Sequence, residues 1–269
     1  MNSASNANAL ADKVAVITGG ASGIGRACAT RFAAEGATVV LGDINLEAAV
    51  AAAADIEAEG GTAHAIRLDA SEPADNEAMI QAALDKYGRV DAVVAAAGLA
   101  HSGYVSGEQV ARESRGLLDQ SPDDWQRVMD VNLTGVMLVN QLAARAMIES
   151  GNGGTIVNIA SAAAKVPLKG AVDYCVSKAG VWMLTKAFAL EVADMGVRVN
   201  AIGPGFIETP MTAGMRSNDE GVKRMLAMTP MGRLGEATEI ANTALFLSSS
   251  ESSYITGQIL FPSGGMFVG

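Results

Sequence analysis

Tyr174 and Lys178 stand four residues apart inside an apolar-periodic segment, so a helix stacks their side chains on one face. A phenol has an ordinary pKa near 10 and is a poor base at neutral pH. An ammonium about 4–5 Å away is worth about 1 kcal/mol in bulk water but about 4 kcal/mol at an effective dielectric near 20. The second figure equals about three pKa units. Such a pair becomes a proton-transfer device only in a partly dry cleft beside other positive charge. Two more polar residues stand out. Ser161 ends an apolar run, and Asn132 lies inside a helical pattern although asparagine is a poor helix former.

Far upstream, the turn Gly19-x3-Gly23-x-Gly25 follows an apolar strand and opens a helix, the context a dinucleotide site requires. Its glycines permit a tight turn and let backbone approach a pyrophosphate, whose charge the helix N-terminus favours. Asp43 ends the next strand, 18 residues after Gly25, where a carboxylate can accept both hydroxyls of an adenosine ribose. A 2′-phosphate would meet like charge there. No Lys or Arg flanks Asp43, and Ala21 and Ser22 in the turn offer none, so NAD is expected in preference to NADP.

These residues need a frame, and strand and helix signals alternate along the chain. Val14–Thr18 reads as a strand and Ile24–Glu35 as a helix closed by Gly36. Thr38–Gly42 is a strand ending at Asp43, Leu46–Glu59 an Ala-rich helix, and Ala63–Leu68 a strand ending at Asp69. A helix at Pro73–Tyr87 and the strand Ala92–Ala96 follow. Ser121-Pro122-Asp123-Asp124 is a strong helix start, and that helix is expected to run to about Glu149 with Asn132 inside it. Strand Thr155–Ile159 leads to Ser161, helix Asp173–Met195 holds Tyr174 and Lys178, and strand Val197–Ile202 stops at Gly203-Pro204-Gly205. A helix near Glu236–Leu247 and a strand near Gln258–Phe261 complete the pattern. The alternation predicts one α/β domain, 12–269, with a doubly wound, mostly parallel sheet of seven strands, preceded by a loose polar tail, 1–11. Leu99–Gln120 and Phe206–Gly235 escape the pattern and follow strand C-termini, where open α/β sheets bind ligands.

Composition narrows the partners. The 269 residues are 49% apolar and 4% aromatic with 30 glycines, enough for a full core of aliphatic side chains. A net charge of −10 argues against nucleic acid, yet leaves room for a bound dinucleotide, because helix N-termini act within a screening length of about 8 Å. No apolar run reaches the ~20 residues of a membrane span, and Met1–Asp12 lacks the features of a secretory signal. Two cysteines, Cys28 and Cys175, suggest neither a disulfide framework nor a metal site, so a reduced cytoplasmic setting is expected.

The Thr18-Gly19-x3-Gly23-x-Gly25 turn, the set Asn132, Ser161, Tyr174 and Lys178, and Pro204-Gly205 occur in a familiar order. From about Leu10 to Gly265 the chain resembles the short-chain dehydrogenase/reductase family in its single-domain Rossmann form. The resemblance implies an NAD(P)-dependent oxidoreductase that moves hydride between a secondary alcohol and a ketone. It implies Tyr174 as acid/base, Lys178 on the nicotinamide ribose lowering the Tyr174 pKa, and Ser161 on the substrate oxygen. Asn132 would bend its helix and hold a water that relays protons to Lys178. Asp69 would contact the adenine, and Ser22, Ile24, Ala97, Gly98, Ile207 and Thr209 would complete the cofactor contacts. Alternatives are an NADP-linked 3-oxoacyl thioester reductase and a non-catalytic dinucleotide-binding protein.

Three departures from the family pattern matter. Ala95-Ala96-Ala97-Gly98 stands where Asn-Asn-Ala-Gly is usual, Ser263 replaces an Asp before Gly264-Gly265, and 99–120 is about ten residues longer than common. His101 is a substrate contact or a solvated loop residue, and His64 reads as a structural strand residue. Cys175 points away from Tyr174, being the next helical position. Met211, Met215, Met225, Met228 and Met231 suit either an adaptable lid or ordinary packing. Apolar residues on more than one helix face, among them Val136, Leu138, Val181, Trp182 and Phe188, with the end Met266-Phe267-Val268, point to a homotetramer of two isologous contacts.

Overall fold

The order of the central sheet decides where a ligand can sit. In a computed structural model describing residues 8–100 and 116–268, seven parallel strands are arranged β3-β2-β1-β4-β5-β6-β9. They are β1 (Val14–Thr18), β2 (Thr38–Asp43), β3 (Thr62–Arg67), β4 (Ala92–Ala95), β5 (Gly154–Ile159), β6 (Val197–Ile202) and β9 (Ile259–Leu260). The chain winds one way from β1 to β3 and the other way from β4 onward, so a crevice opens at the C-terminal ends of β1 and β4.

All five residues of β1 are buried, because helices cover both faces of the sheet. Side chains alternate between two cores. Ala15 and Ile17 join Val39, Leu41 and Val94 under α1 (Gly23–Ala34), α2 (Leu46–Ala58) and α9 (Ala237–Ser248), which supply Phe32, Ile56 and Leu247. Val14 and Val16 join Val40, Val93 and Ile156 on the other side. There α3 (Pro73–Tyr87), α5 (Gly135–Glu149) and α6 (Val172–Val192) supply Met79, Met147 and Val181.

Four features depart from the sequence reading. The helix starting at Ser121 is not uniform: α4 (Pro122–Met129) passes through a π turn at Asp130–Thr134 before α5. By length and composition Pro122–Glu149 could cross a bilayer, yet half of its most apolar window is buried in the fold. The segment 206–235 is closed at its base by a two-residue parallel ladder, β7 (Ile207–Glu208) with β8 (Gly235–Glu236), strands too short to carry any periodicity. Between them lie α7 (Ala213–Arg216) and α8 (Asp219–Ala227). Residues 8–11, read as tail, are instead pinned: Glu35 accepts the Asn8 and Ala9 amides, each at 3.0 Å, and Leu10 is buried in the core. Finally, Val136 and Val181 face the sheet. On these two helices the large apolar side chains left in water are Met137 on α5 and Val176, Met183 and Leu190 on α6.

Candidate active site

The crevice is built first from backbone. Thr18 ends β1, and its Oγ1 accepts the N–H groups of Ala96 and Ala97, each at 3.1 Å. This hydroxyl braces the end of β4 where the usual paired asparagines are absent. Gly19 follows with φ +68°, and a Cβ there would lie 2.9 Å from the Ala97 backbone. A Cβ on Gly25 would lie 2.1 Å from the Gly19 carbonyl oxygen, so α1 starts in direct backbone contact with the turn. Ser22 is its N-cap, but the Ser22 side chain makes no capping bond and no acid occupies the first turn. The first-turn N–H groups and the positive end of the helix dipole therefore face the cleft unneutralised, which fits a pyrophosphate.

A cleft of about 620 Å³ runs from this turn past Asp43 and Asp69 at one end to Ser161, Tyr174 and Lys178 at the other. The Asp43 carboxylate is held in place: Ala21 N–H donates to Oδ2 at 3.1 Å and Asn45 N–H to Oδ1 at 3.0 Å. Each oxygen keeps a lone pair for a further donor. Asp69 accepts the Ser71 hydroxyl at 2.6 Å and the Ser71 amide at 3.1 Å. The hydroxyl is the main reason that its carboxyl is held below the usual range, with Arg67 and Arg127 adding smaller attractions.

At the far end Tyr174 and Lys178 share one face of α6, as their spacing requires. The Ser161 side chain hydrogen-bonds Tyr174, and Ser161 Oγ also accepts the Ala163 amide at 3.1 Å. Lys178 is buried, and its Nζ donates to the Ile159 carbonyl at 2.9 Å while lying 5.8 Å from the Tyr174 ring centroid. Under the protein's own groups alone the Tyr174 pKa is raised, because burial penalises the phenolate more than the Ser161 hydrogen bond favours it. Burial also pulls Lys178 down to about 8, so its ammonium is mostly kept at pH 7 and is lost as the pH rises through that value. Burial biases both side chains toward their neutral forms.

Asn132 is fully buried on the π turn. Its Oδ1 accepts Leu99 N–H at 2.7 Å, and its Nδ2 donates to Leu99 O at 2.8 Å and to Ser177 Oγ at 3.1 Å. Both side-chain protons are thus spent on tying the end of β4 to α6, and neither is left for a relay water. A Cβ on Gly98 would sit 3.3 Å from Asn132 Oδ1 and 3.4 Å from Lys178 Nζ, so Gly98 lies between the two.

Apart from Asn132, every site residue expected from the sequence lines the cleft: Gly19, Ser22, Gly23, Ile24, Gly25, Asp43, Asp69, Ala97, Gly98, Ser161, Tyr174, Lys178, Pro204, Gly205, Ile207 and Thr209. His101 lies outside the described residues. His64 sits in β3 with Nδ1 3.3 Å from Lys86 Nζ, and Cys175 Sγ accepts the Leu168 amide at 3.3 Å. Of the methionines, Met211 lines the cleft, Met225 is core and Met231 is exposed. The sequence reading named Thr18 as part of the turn but gave it no role, and it missed the cleft-facing Asp123, Gln126, Arg127 and Asp130 of α4 and the π turn. Among the described residues no group of three or more His, Cys, Asp or Glu is placed to hold a metal ion.

Comparison with known proteins agrees with this geometry. A family profile described as enoyl-(acyl carrier protein) reductase matches residues 19–267. The 2,5-dichloro-2,5-cyclohexadiene-1,4-diol dehydrogenase of Sphingobium indicum is 43% identical over 98% of this chain and 99% of its own. The 3-oxoacyl-acyl-carrier-protein reductase of Thermotoga maritima is 38% identical over 96% of this chain and 99% of its own. A crystal structure of a short-chain type dehydrogenase/reductase from Mycobacterium marinum superposes with a TM-score of 0.88 at 34% identity, covering 97% of each chain.

Thr18→Val keeps the side-chain shape and removes the acceptor for two amides. The expected result is a loss of about 2 kcal/mol of stability together with weaker NADH binding, read by denaturant titration and by nucleotide fluorescence. An unchanged variant in both assays would exclude a bracing role for the hydroxyl.

Proposed function

This chain belongs to the short-chain dehydrogenase/reductase family, and from its cleft we propose that it interconverts a secondary alcohol and a ketone with NAD as the preferred partner. That it is a hydride-transferring oxidoreductase using a nicotinamide dinucleotide on CH–OH substrates follows from the family. The observation that carries the finer reading is a single cleft with a fixed Asp43 at one end and the Ser161–Tyr174–Lys178 group at the other.

When bound, the dinucleotide supplies the carbon that accepts or donates hydride. The first turn of α1 would hold its pyrophosphate, Asp43 the adenosine ribose, Asp69 the adenine, and Lys178 with Ile207 and Thr209 the nicotinamide end. Tyr174 takes the hydroxyl proton during oxidation and returns it during reduction, while Ser161 holds the same oxygen by hydrogen bonding. Burial keeps Tyr174 in its protonated form, the form that reduction needs, while making it a weaker acid. Oxidation needs the phenolate, which positive charge in the cleft, including that of Lys178, favours. The NAD preference rests on charge. Around Asp43 the cleft is lined by Ser22, Ile44, Leu68 and Asp69; the cations among the described lining residues are Lys178 at the opposite end and Arg127, whose charge acts on Asp69. The 38% identical relative named for 3-oxoacyl thioester reduction supports that activity as a second reading, with the same four residues in the same roles.

For assembly we propose a homotetramer. Val176, Met183 and Leu190 recur every seven residues along α6 and are 45%, 61% and 84% exposed, a stripe that a second copy would cover. The edge strand β9 and the exposed Val268 offer the other contact.

Tyr174→Phe is expected to lower kcat by about 10²–10⁴-fold and leave NADH affinity nearly intact. Steady-state kinetics retaining more than about a tenth of the wild-type rate would remove Tyr174 from the chemistry. Wild type is expected to have a higher kcat/KM with NAD than with NADP, and Asp43→Ala to narrow that ratio; equal use of both cofactors by wild type refutes the charge argument. Light scattering at micromolar concentration should give a tetramer mass. A monomer overturns the assembly, and a dimer leaves one contact, for which α6 is the candidate.

A further inference from the structure

Past Tyr174 and Ser161 a second, smaller pocket of about 80 Å³ opens from the same site. Its walls are Leu168, Phe206, Met211, Met215 and Met266, with small alanines between them. Among the described residues, no Asp, Glu, Lys, Arg or His lines it. Its side-chain hydroxyls are Ser161 and Tyr174 at the reacting end and Thr212. Thr212 is fully engaged: Oγ1 lies 2.7 Å from Ile207 O and 3.1 Å from Thr209 O, and it accepts Thr209 N–H at 3.2 Å. Several of the lining amides are spent as well. Ala162 donates to Pro204 O, Ala163 to Ser161 Oγ, Leu168 to Cys175 Sγ, Ala171 to Leu168 O and Gly205 to Pro262 O.

We propose that this pocket seats the body of the substrate and admits a compact, uncharged, apolar group beside the carbinol carbon, while rejecting anionic and polyhydroxylated bodies. The inference rests on the reading of Tyr174 as the proton-transfer group, which fixes the reacting oxygen at the pocket mouth. A carboxylate carried inward would lose its water and find no cation among the described lining residues. Sugar-like hydroxyls would meet a wall whose Thr212 hydroxyl and whose amides of Ala162, Ala163, Leu168, Ala171 and Gly205 are already engaged. An apolar ring loses nothing by entering. Thioether side chains bend to several shapes and contact ring edges well, so three methionines select for polarity more than for outline.

Met266 is the residue through which this selection can be altered. It reaches the pocket from the C-terminal turn, where Gly264 and Gly265 adopt φ +60° and +89°. Ser263 fastens that turn. Its carbonyl accepts the Met266 amide at 3.1 Å and its Oγ the Phe267 amide at 3.3 Å, while Gly264 O accepts the Met231 amide at 3.0 Å. The serine that replaces the usual aspartate therefore places a wall of the pocket without bringing a charge to it.

A matched pair tests the proposal: 4-methylcyclohexanol and 4-hydroxycyclohexanecarboxylate differ in the group at the far side of one ring. Binding is measured calorimetrically with the protein saturated in NADH or NADPH, where an alcohol cannot be oxidised. The methyl compound should bind at least about tenfold more tightly, and Met266→Lys should bring the ratio to unity or reverse it. Should that variant fail to fold, Met215→Lys carries the same expectation. Equal or tighter binding of the carboxylate by wild type, no binding of either compound, or an unchanged ratio in a folded lysine variant overturns the proposal. Oxidation of the bound alcohol on addition of NAD or NADP tests the parent reading separately: an alcohol that binds tenfold better yet is never oxidised leaves the pocket assignment standing and removes the chemistry.

Discussion

There is no room for a side chain where β1, β4 and α1 converge, and the site follows from that restriction. At Gly19 and Gly25 backbone touches backbone, so the start of α1 is held against the ends of the two central strands. The helix then presents an uncapped N-terminus to the crevice that the reversed strand order has opened. A larger residue at either position would separate α1 from the sheet and close the crevice from behind. The Thr18 hydroxyl works on the same junction from the other side, fixing 96–97 by two amides.

The opposite end of the cleft is governed by dehydration. Lys178 is an ammonium drawn into a place where its fixed partner is a carbonyl oxygen, and Tyr174 a phenol in the same dry wall. Each is biased toward neutrality by its own burial, and neither repairs the other. The acid/base role proposed for Tyr174 is therefore a property of the filled cleft and not of the tyrosine–lysine pair alone. Proximity along a helix is necessary for such a pair, and it is not sufficient.

This explains what could be read from the residues beforehand. Strands and helices were legible because helices cover both faces of the sheet, which makes the central strands β1 and β4 apolar nearly throughout and gives the helices a periodic pattern. β1, α3 and β6 occupy the spans that periodicity gives them. The cleft residues were legible because glycine spacing and the helical i, i+4 rule act locally. How deeply Tyr174 and Lys178 are buried was not, since burial is set by segments distant in sequence. The β7–β8 ladder, two residues long, and the Thr18 bond to amides 78 and 79 residues away were hidden for the same reason. Val136 and Val181 carried the right apolar character, but which of two faces met the sheet depended on tertiary phase.

Phase gives the π turn a meaning of its own. Asp130–Thr134 holds one residue more than an α-helical path would need. A one-residue deletion elsewhere in Pro122–Glu149 would turn everything beyond it by about 100°, carrying Val139, Ala143 and Met147 away from the sheet. A deletion inside the π turn instead lets the helix relax to ordinary pitch with both flanks in step, and what is lost is the Asn132 clasp on Leu99 and Ser177. The helix thus has one place where its length can change without disturbing the core, and that place is occupied by a residue of the site.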